Sequence, residues 1–291
     1  MDLEIIAPER FNNAADRSPR SASKDPRKAS FAPQRLDIDL RECEFIWPAA
    51  VLWCLVYGLL SVSRSEESRL LLPDNLGVAL YLKSVGLLSI LADDGVSIDD
   101  QGISGTPNPG EQLVLPIRSL GAESEVDTVA NEVLDRLQDS NIGSTNLYPV
   151  VSEVFAELAL NAVQHSDSSI AAFGLIQFYQ SESGRRFICA VADGGIGIRA
   201  SLERNPGLRR RVPYEWTAID LALEEGVSGT GSPSRGIGLF GVSDEMSRPG
   251  RQLIIHSGNG LLIAGGTSTQ TQATRCAVPF PGTLTLASIP A

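Results

Sequence analysis

Hydrophobic positions along this 291-residue chain change period several times, and each change predicts an element. Leu36, Ile38 and Leu40 alternate with Asp37 and Asp39, the period of a half-buried strand over Leu36–Arg41. Phe45 to Ser63 then runs 19 residues without a charge. That approaches the roughly 20 residues that span a bilayer. Pro48, Gly58, Ser61 and Ser63 interrupt it, however, and neither flank is basic. Proline suits a helix's first turn, so the stretch predicts a buried soluble helix, Pro48–Val62. Apolar on most faces, it needs cover on two sides, which points to a domain or dimer contact. A strand at Arg69–Leu72 and a helix at Leu76–Leu88 follow. Strand, helix, strand, helix is the order of parallel strands with helical crossovers.

In the second half, Val151, Val154, Phe155, Leu158 and Ala162 recur at helical spacing. Phe187 to Ala192 is an apolar run that reads as a buried strand, and a helix begins near Leu239. Gln252 to Ser257 reads as a strand before an Asn259-Gly260 turn. Thr283 to Ile289 alternates as a last strand.

Texture sets the boundaries. Glu9 to Arg35 is mostly Ser, Arg, Pro, Asn, Asp and Ala, too polar to offset the entropy of ordering. It reads as a disordered arm, either a solvated leader or a basic docking tail. Gly102, Gly105, Pro107, Pro109 and Gly110 mark a linker. The expected organisation is an arm at 1–35, a small α/β domain at 36–100, a linker at 101–112 and a larger domain at 113–291.

Composition narrows the function classes. With 43% hydrophobic and 20% charged residues the chain has material for a real core. A net charge of −11 argues against a nucleic-acid binder. Cys43, Cys54, Cys189 and Cys276 form no CxxC pair, so no zinc site is expected and a reducing compartment fits. No secretion signal opens the chain, and the expected location is cytoplasmic.

Three motifs carry candidate chemistry. In Glu157-Leu-Ala-Leu-Asn161-Ala-Val-Gln-His165 the acid and the amide are four apart, on one helix face. The carboxylate could accept a proton, and the amide oxygen could ligate a hard cation such as Mg²⁺; a plain solvated face is the alternative. In Asp193-Gly-Gly-Ile-Gly197-Ile an acid ends a strand and glycines clear the turn beyond it. A planar ligand could approach that backbone while the acid accepts a hydrogen bond from an exocyclic amine. An ordinary tight turn, or an incomplete calcium loop, reads the same way. In Arg235-Gly-Ile-Gly238-Leu-Phe two glycines open a helix whose free N–H groups suit phosphate. Gly236, Gly238 and Gly241 superficially match GxGxxG, but a Gly/Ser/Pro-rich stretch precedes them instead of a strand, which counts against a dinucleotide fold. All three lysines lie at or before position 83, so the Walker lysine is missing.

Together these motifs, in this order, resemble the GHKL or Bergerat-fold ATPases over roughly residues 110 to 291. The resemblance implies a two-layer α/β sandwich with a mixed sheet that binds ATP and Mg²⁺. It implies that Glu157 activates the nucleophile, that Asn161 binds Mg²⁺ and that Asp193 binds adenine, with Gly195 and Gly197 beside it. Gly236 and Gly238 face the phosphates, and Arg199 to Ser234 forms a mobile lid. Gly282-Thr283 resembles the family's terminal GT strand, which adds Thr283 to the nucleotide contacts. Some members carry Lys or Arg where Gln164 stands; Arg235, or Arg209-Arg210-Arg211, could replace that phosphate contact.

Phe45-Ile46-Trp47-Pro48, Leu70-Leu71-Leu72-Pro73, Tyr81-Leu82 and Val85-Gly86-Leu87-Leu88 resemble a STAS-type domain, which implies a partner-binding module. That family often carries a switch serine at the start of the first helix; here Ile46-Trp47-Pro48 stands there. Neither His165 nor His256 lies on a helical hairpin before the ATPase region, so histidine autophosphorylation is not expected. Ala291 follows the GT strand too closely for a transducer domain. The branch resembled is then the anti-sigma-factor kinases. It implies an ATP-Mg-binding bacterial signalling regulator with Ser/Thr kinase activity, working by partner switching on a STAS or sigma-factor-like protein, or by self-association. A nucleotide-gated binding module without catalysis and an ATPase using water are the alternatives. No membrane or nucleic-acid partner is expected.

Overall fold

A computed structural model describes residues 3–6, 10–11, 20–21, 35–99, 102–105, 112–140, 142–181, 184–227, 238–266 and 272–291. The chain divides into two units, Met1–Gly110 and Glu111–Ala291, within the Gly/Pro seam. The fold is mixed α/β, with parallel and antiparallel sheets.

In the first unit, strands β1 (Leu3–Ile6), β4 (Arg35–Asp39), β6 (Glu67–Leu71) and β7 (Ser97–Asp99) pair in parallel in that order. β3 (Arg20–Ser21) adds an antiparallel edge to β1, and β2 (Arg10–Phe11) pairs with β5 (Phe45–Ile46). The expectation of a wholly disordered arm is corrected here. Leu3–Ile6 belongs to the sheet because its backbone groups pair with those of Leu36–Asp39. Arg10–Phe11 and Arg20–Ser21 pair as strands too, and the remaining residues of the arm before Arg35 lie outside the described residues.

Helix α1 (Pro48–Ser63) opens with Pro48 at its first position and crosses over from β4 to β6. Its apolar faces find cover on β4, β6 and α3 (Leu87–Asp93). Trp53 is 1% exposed, and burying one such large side chain contributes about 1.5–3 kcal/mol. Among the described residues no single helix is long and apolar enough to cross a membrane. The single helix expected at Leu76–Leu88 is two. α2 (Leu76–Ser84) ends before Val85 and Gly86, the latter at φ 90°, and α3 departs at 66°.

The second unit holds one sheet in the order β11-β12-β10-β9-β8, and every neighbouring pair is antiparallel. These strands are β8 (Gln112–Leu120), β9 (Ala172–Ser181), β10 (Gly184–Asp193), β11 (Gln252–Gly265) and β12 (Thr274–Pro290). The expected mixed sheet is therefore corrected, for two reasons of connection. Two antiparallel helices, α4 (Glu123–Ser140) and α5 (Tyr148–His165), return the chain from β8 to β9 in the opposite sense. β12 then inserts between β10 and β11, which run the same way and would otherwise pair in parallel. The Asn259-Gly260 turn is also corrected. β11 runs through it to Gly265, and two register shifts between Ser257 and Gly260 absorb it as a bulge.

The core lies between this sheet and the helices. Val126, Val129, Val133 and Leu137 of α4 and Val151, Val154, Phe155 and Leu158 of α5 are buried at helical spacing. Phe155 rests against Gly174 of β9, where an added Cβ would come within 2.5 Å of its ring. The stretch from Arg199, expected as a lid, contains most of α6 (Gly197–Glu203) and all of α7 (Glu215–Ala222). Leu202, Val212, Ala218, Leu221 and Ala222 form a small core of their own there. Residues 228–234 of that stretch lie outside the described residues.

Candidate functional site

Helix α5 carries both residues of the first motif because its apolar stripe faces the sheet and fixes the rotation of the opposite side. Asn161 Nδ2 donates to the carbonyl of Glu157, 2.8 Å away. The side-chain oxygen is left as the group able to ligate a cation. Glu157 is half-buried, and burial together with the neighbouring Glu153 charge pushes its carboxyl above the usual carboxylate range. A general base gains from such a shift. Helix α8 (Gly238–Met246) begins against this pair: a Cβ on Gly238 would strike the Glu157 carboxylate and come 3.5 Å from Asn161 Nδ2.

Asp193 ends β10 and is 2% exposed. Its Oδ1 accepts the Gly195 N–H at 2.8 Å, and the carboxylate also accepts the backbone N–H of Thr283 across the β10–β12 ladder. Burial outweighs both bonds and raises the carboxyl to about 7. Two glycines make the close packing around it feasible. Gly282, at φ 94°, would put a Cβ onto the Asp193 carbonyl and within 2.6 Å of its Oδ1. Gly195 would put one into the backbone of Ser166, the acceptor of the Ile196 N–H at 2.7 Å.

Asn161, Asp193, Gly197 and Thr283 line one cleft, with about 800 Å³ of unfilled space opening to solvent. Its lining is largely apolar, with Leu158, Ala162, Val191, Ile198, Leu202 and Leu239, and its polar members are Asn161, His165, Ser166, Asp193, Ser201, Thr283 and Thr285. Such a cleft can bury a flat apolar face and hydrogen-bond one edge of it.

The structure thus brings Asn161, Asp193, Gly195, Gly197 and Thr283 together, with Glu157 and Gly238 in contact beside them. Arg235 and Gly236 lie outside the described residues. Arg209, Arg210 and Arg211 do not line the cleft: Arg209 bonds the Glu203 carbonyl at 2.7 Å, and Arg211 pairs with Glu224 at 2.9 Å. Gln164 does not line it either. His256 is a core histidine, 3.1 Å from the Val278 carbonyl, and burial lowers its pKa to about 4. All four cysteines are buried and free, and no group of three or more metal-ligating side chains occurs among the described residues.

Sequence reasoning missed Ser257, Ser166, Val191 and Thr285. Val191 and Thr285 carried a usable signal, since each lies two positions from a named residue on the same strand face. Ser257 carried none. It reaches the site only through the β11–β12 pairing, 25 residues from Gly282. Comparison with protein-family models, with curated proteins and with solved structures finds no match.

Proposed function

We propose that Glu111–Ala291 is an ATP-Mg²⁺-binding domain of the GHKL type, closest to the anti-sigma-factor Ser/Thr kinases, and that the first unit is a STAS-like partner module. The whole would be a cytoplasmic signalling regulator that works by partner switching. One observation carries the reading. Three segments far apart in sequence, two of the motifs and the last strand, supply Asn161, Asp193 and Thr283 to a single cleft, with Glu157 and the start of α8 beside it. The parallel β4-β6-β7 order, with α1 and then α2 and α3 as crossovers, supports the reading of the first unit.

The residues suit the ligand. Asp193 accepts from the exocyclic amine, and the apolar side chains that line the cleft cover the faces of a planar ring. Asn161 offers one oxygen to Mg²⁺, an ion that keeps waters and phosphate oxygens as its other ligands. The start of α8 presents backbone N–H groups to phosphate. When bound, the nucleotide supplies the γ-phosphoryl group. Glu157 would take the proton from an attacking Ser or Thr hydroxyl of the partner, ADP would leave, and the backbone amides at the start of α8 with Mg²⁺ would hold the charge that develops.

The test is calorimetric titration with ATP and ADP, with and without Mg²⁺, followed by label transfer from γ-labelled ATP to a STAS protein. Mg²⁺-dependent binding and transfer to a Ser or Thr are expected. Binding without transfer or phosphate release would reduce the protein to a nucleotide-gated module. Phosphate release alone would make it an ATPase. Absence of binding refutes the reading.

A further inference from the structure

Ser257 sits on β11 beneath the cleft, 2% exposed, where three backbone segments meet. Its hydroxyl donates to the Gly282 carbonyl at 3.0 Å and accepts the Ile198 N–H at 2.9 Å. Thr283 Oγ1 lies 3.3 Å away. A hydroxyl has one proton. Because that of Ser257 is spent on Gly282, the proton in the Ser257–Thr283 contact comes from Thr283. Thr283 then turns lone pairs, and no donor, toward the cleft it lines. Two residues on, Thr285 lines the same cleft and donates to the Val191 carbonyl at 3.2 Å. Asp193, when ionised, is an acceptor as well. On the strand side of the cleft, the side chains of Asp193, Thr283 and Thr285 therefore offer acceptors only, so a ligand edge that donates is satisfied against them. A carbonyl oxygen placed in the same position meets lone pairs and goes unpaired.

We infer that Ser257 is a specificity-determining residue: by fixing the Thr283 hydroxyl proton it makes the cleft select purines with an exocyclic amine and reject those with a ring carbonyl. This rests on the reading of the cleft as a purine-nucleotide site and deepens it. Asp193 alone would favour an amine. Ser257 adds a second, removable layer of selection, because without it the Thr283 hydroxyl is able to rotate and donate to a carbonyl.

ATP and inosine triphosphate differ along this one edge of the purine, a C6 amine beside an N1 acceptor against a C6 carbonyl beside an N1–H donor, and are the probes. Calorimetry at pH 8 on the full chain compares wild type, Ser257→Ala, Thr283→Val and the double variant, after thermal melting has verified each fold. Wild type is expected to prefer ATP. Ser257→Ala should lose about tenfold of that preference, mainly by gaining affinity for inosine triphosphate. Thr283→Val should lose a similar factor, and the double variant no more than either single. An unchanged ATP-to-inosine preference in Ser257→Ala, or equal weakening of both ligands, overturns the inference while leaving the nucleotide reading in place. If Ser257→Ala does not fold, Thr283→Val decides alone, and retained preference overturns the inference. Wild-type protein that binds neither nucleotide overturns the nucleotide reading and this inference with it.

Discussion

Replacing Asp193 with Asn separates stability from binding in opposite directions. The carboxyl titrates at about 7 in the folded protein against 3.8 when solvated. Between those values the unfolded chain releases a proton that the folded chain keeps. Stability contributed by this group is therefore complete below about pH 4 and falls as pH rises toward 7. A shift of about three units corresponds to about 4 kcal/mol once the pH exceeds both values. Asn keeps an oxygen for the Gly195 and Thr283 N–H groups and carries no charge. Asp193→Asn should thus match wild type near pH 4 and exceed it at pH 8 by up to about 4 kcal/mol. Urea unfolding at pH 5, 6, 7 and 8, followed at Trp216 in variants lacking the other two tryptophans, measures the difference. The same substitution sets an amide donor against the ligand amine, so ATP affinity at pH 8 should fall at least tenfold. A stability difference that stays flat across this range refutes the claim that burial controls this carboxylate. A stabilised variant with unchanged ATP affinity refutes its role in recognition.

Other outcomes follow from the same geometry. ATP affinity of the wild type should rise as pH passes through about 7 and then level off, because the accepting form of Asp193 is the ionised one; calorimetry from pH 5.5 to 8.5 records it. Glu157→Ala should preserve ATP binding and abolish turnover, and turnover at the wild-type rate removes Glu157 as the base. Asn161→Ala should erase the difference between titrations with and without Mg²⁺. Gly195→Ala drives a Cβ into the Ser166 backbone, which has no side-chain freedom to yield, and should cost about 2 kcal/mol or more in thermal unfolding together with the loss of nucleotide binding.

Much of this protein was legible from local pattern. Pro48 and the uncharged run after it specify α1, and the Val151–Ala162 spacing specifies α5, because periodicity is a property of neighbouring residues. Glu157, Asn161, Asp193 and Thr283 were legible as candidates for the same reason, since each motif is short. Strand pairing was not. The order of the second sheet depends on where β12 inserts, and no residue within β12 encodes that choice by itself. The strand at Leu3–Ile6 looks too short beside its polar surroundings, and only pairing with β4 on one side and β3 on the other gives it partners. The bulge at Gly258 reads as a turn until β12 pairs on both sides of it. Ser257 shows the limit most plainly. A serine in a strand is ordinary in sequence, and its consequence arises only where three distant backbone segments converge on one hydroxyl group. The sequence by itself determined which elements form and which side chains could do chemistry. Tertiary structure decided their company, because hydrogen bonds and burial across a sheet join residues that no local period connects.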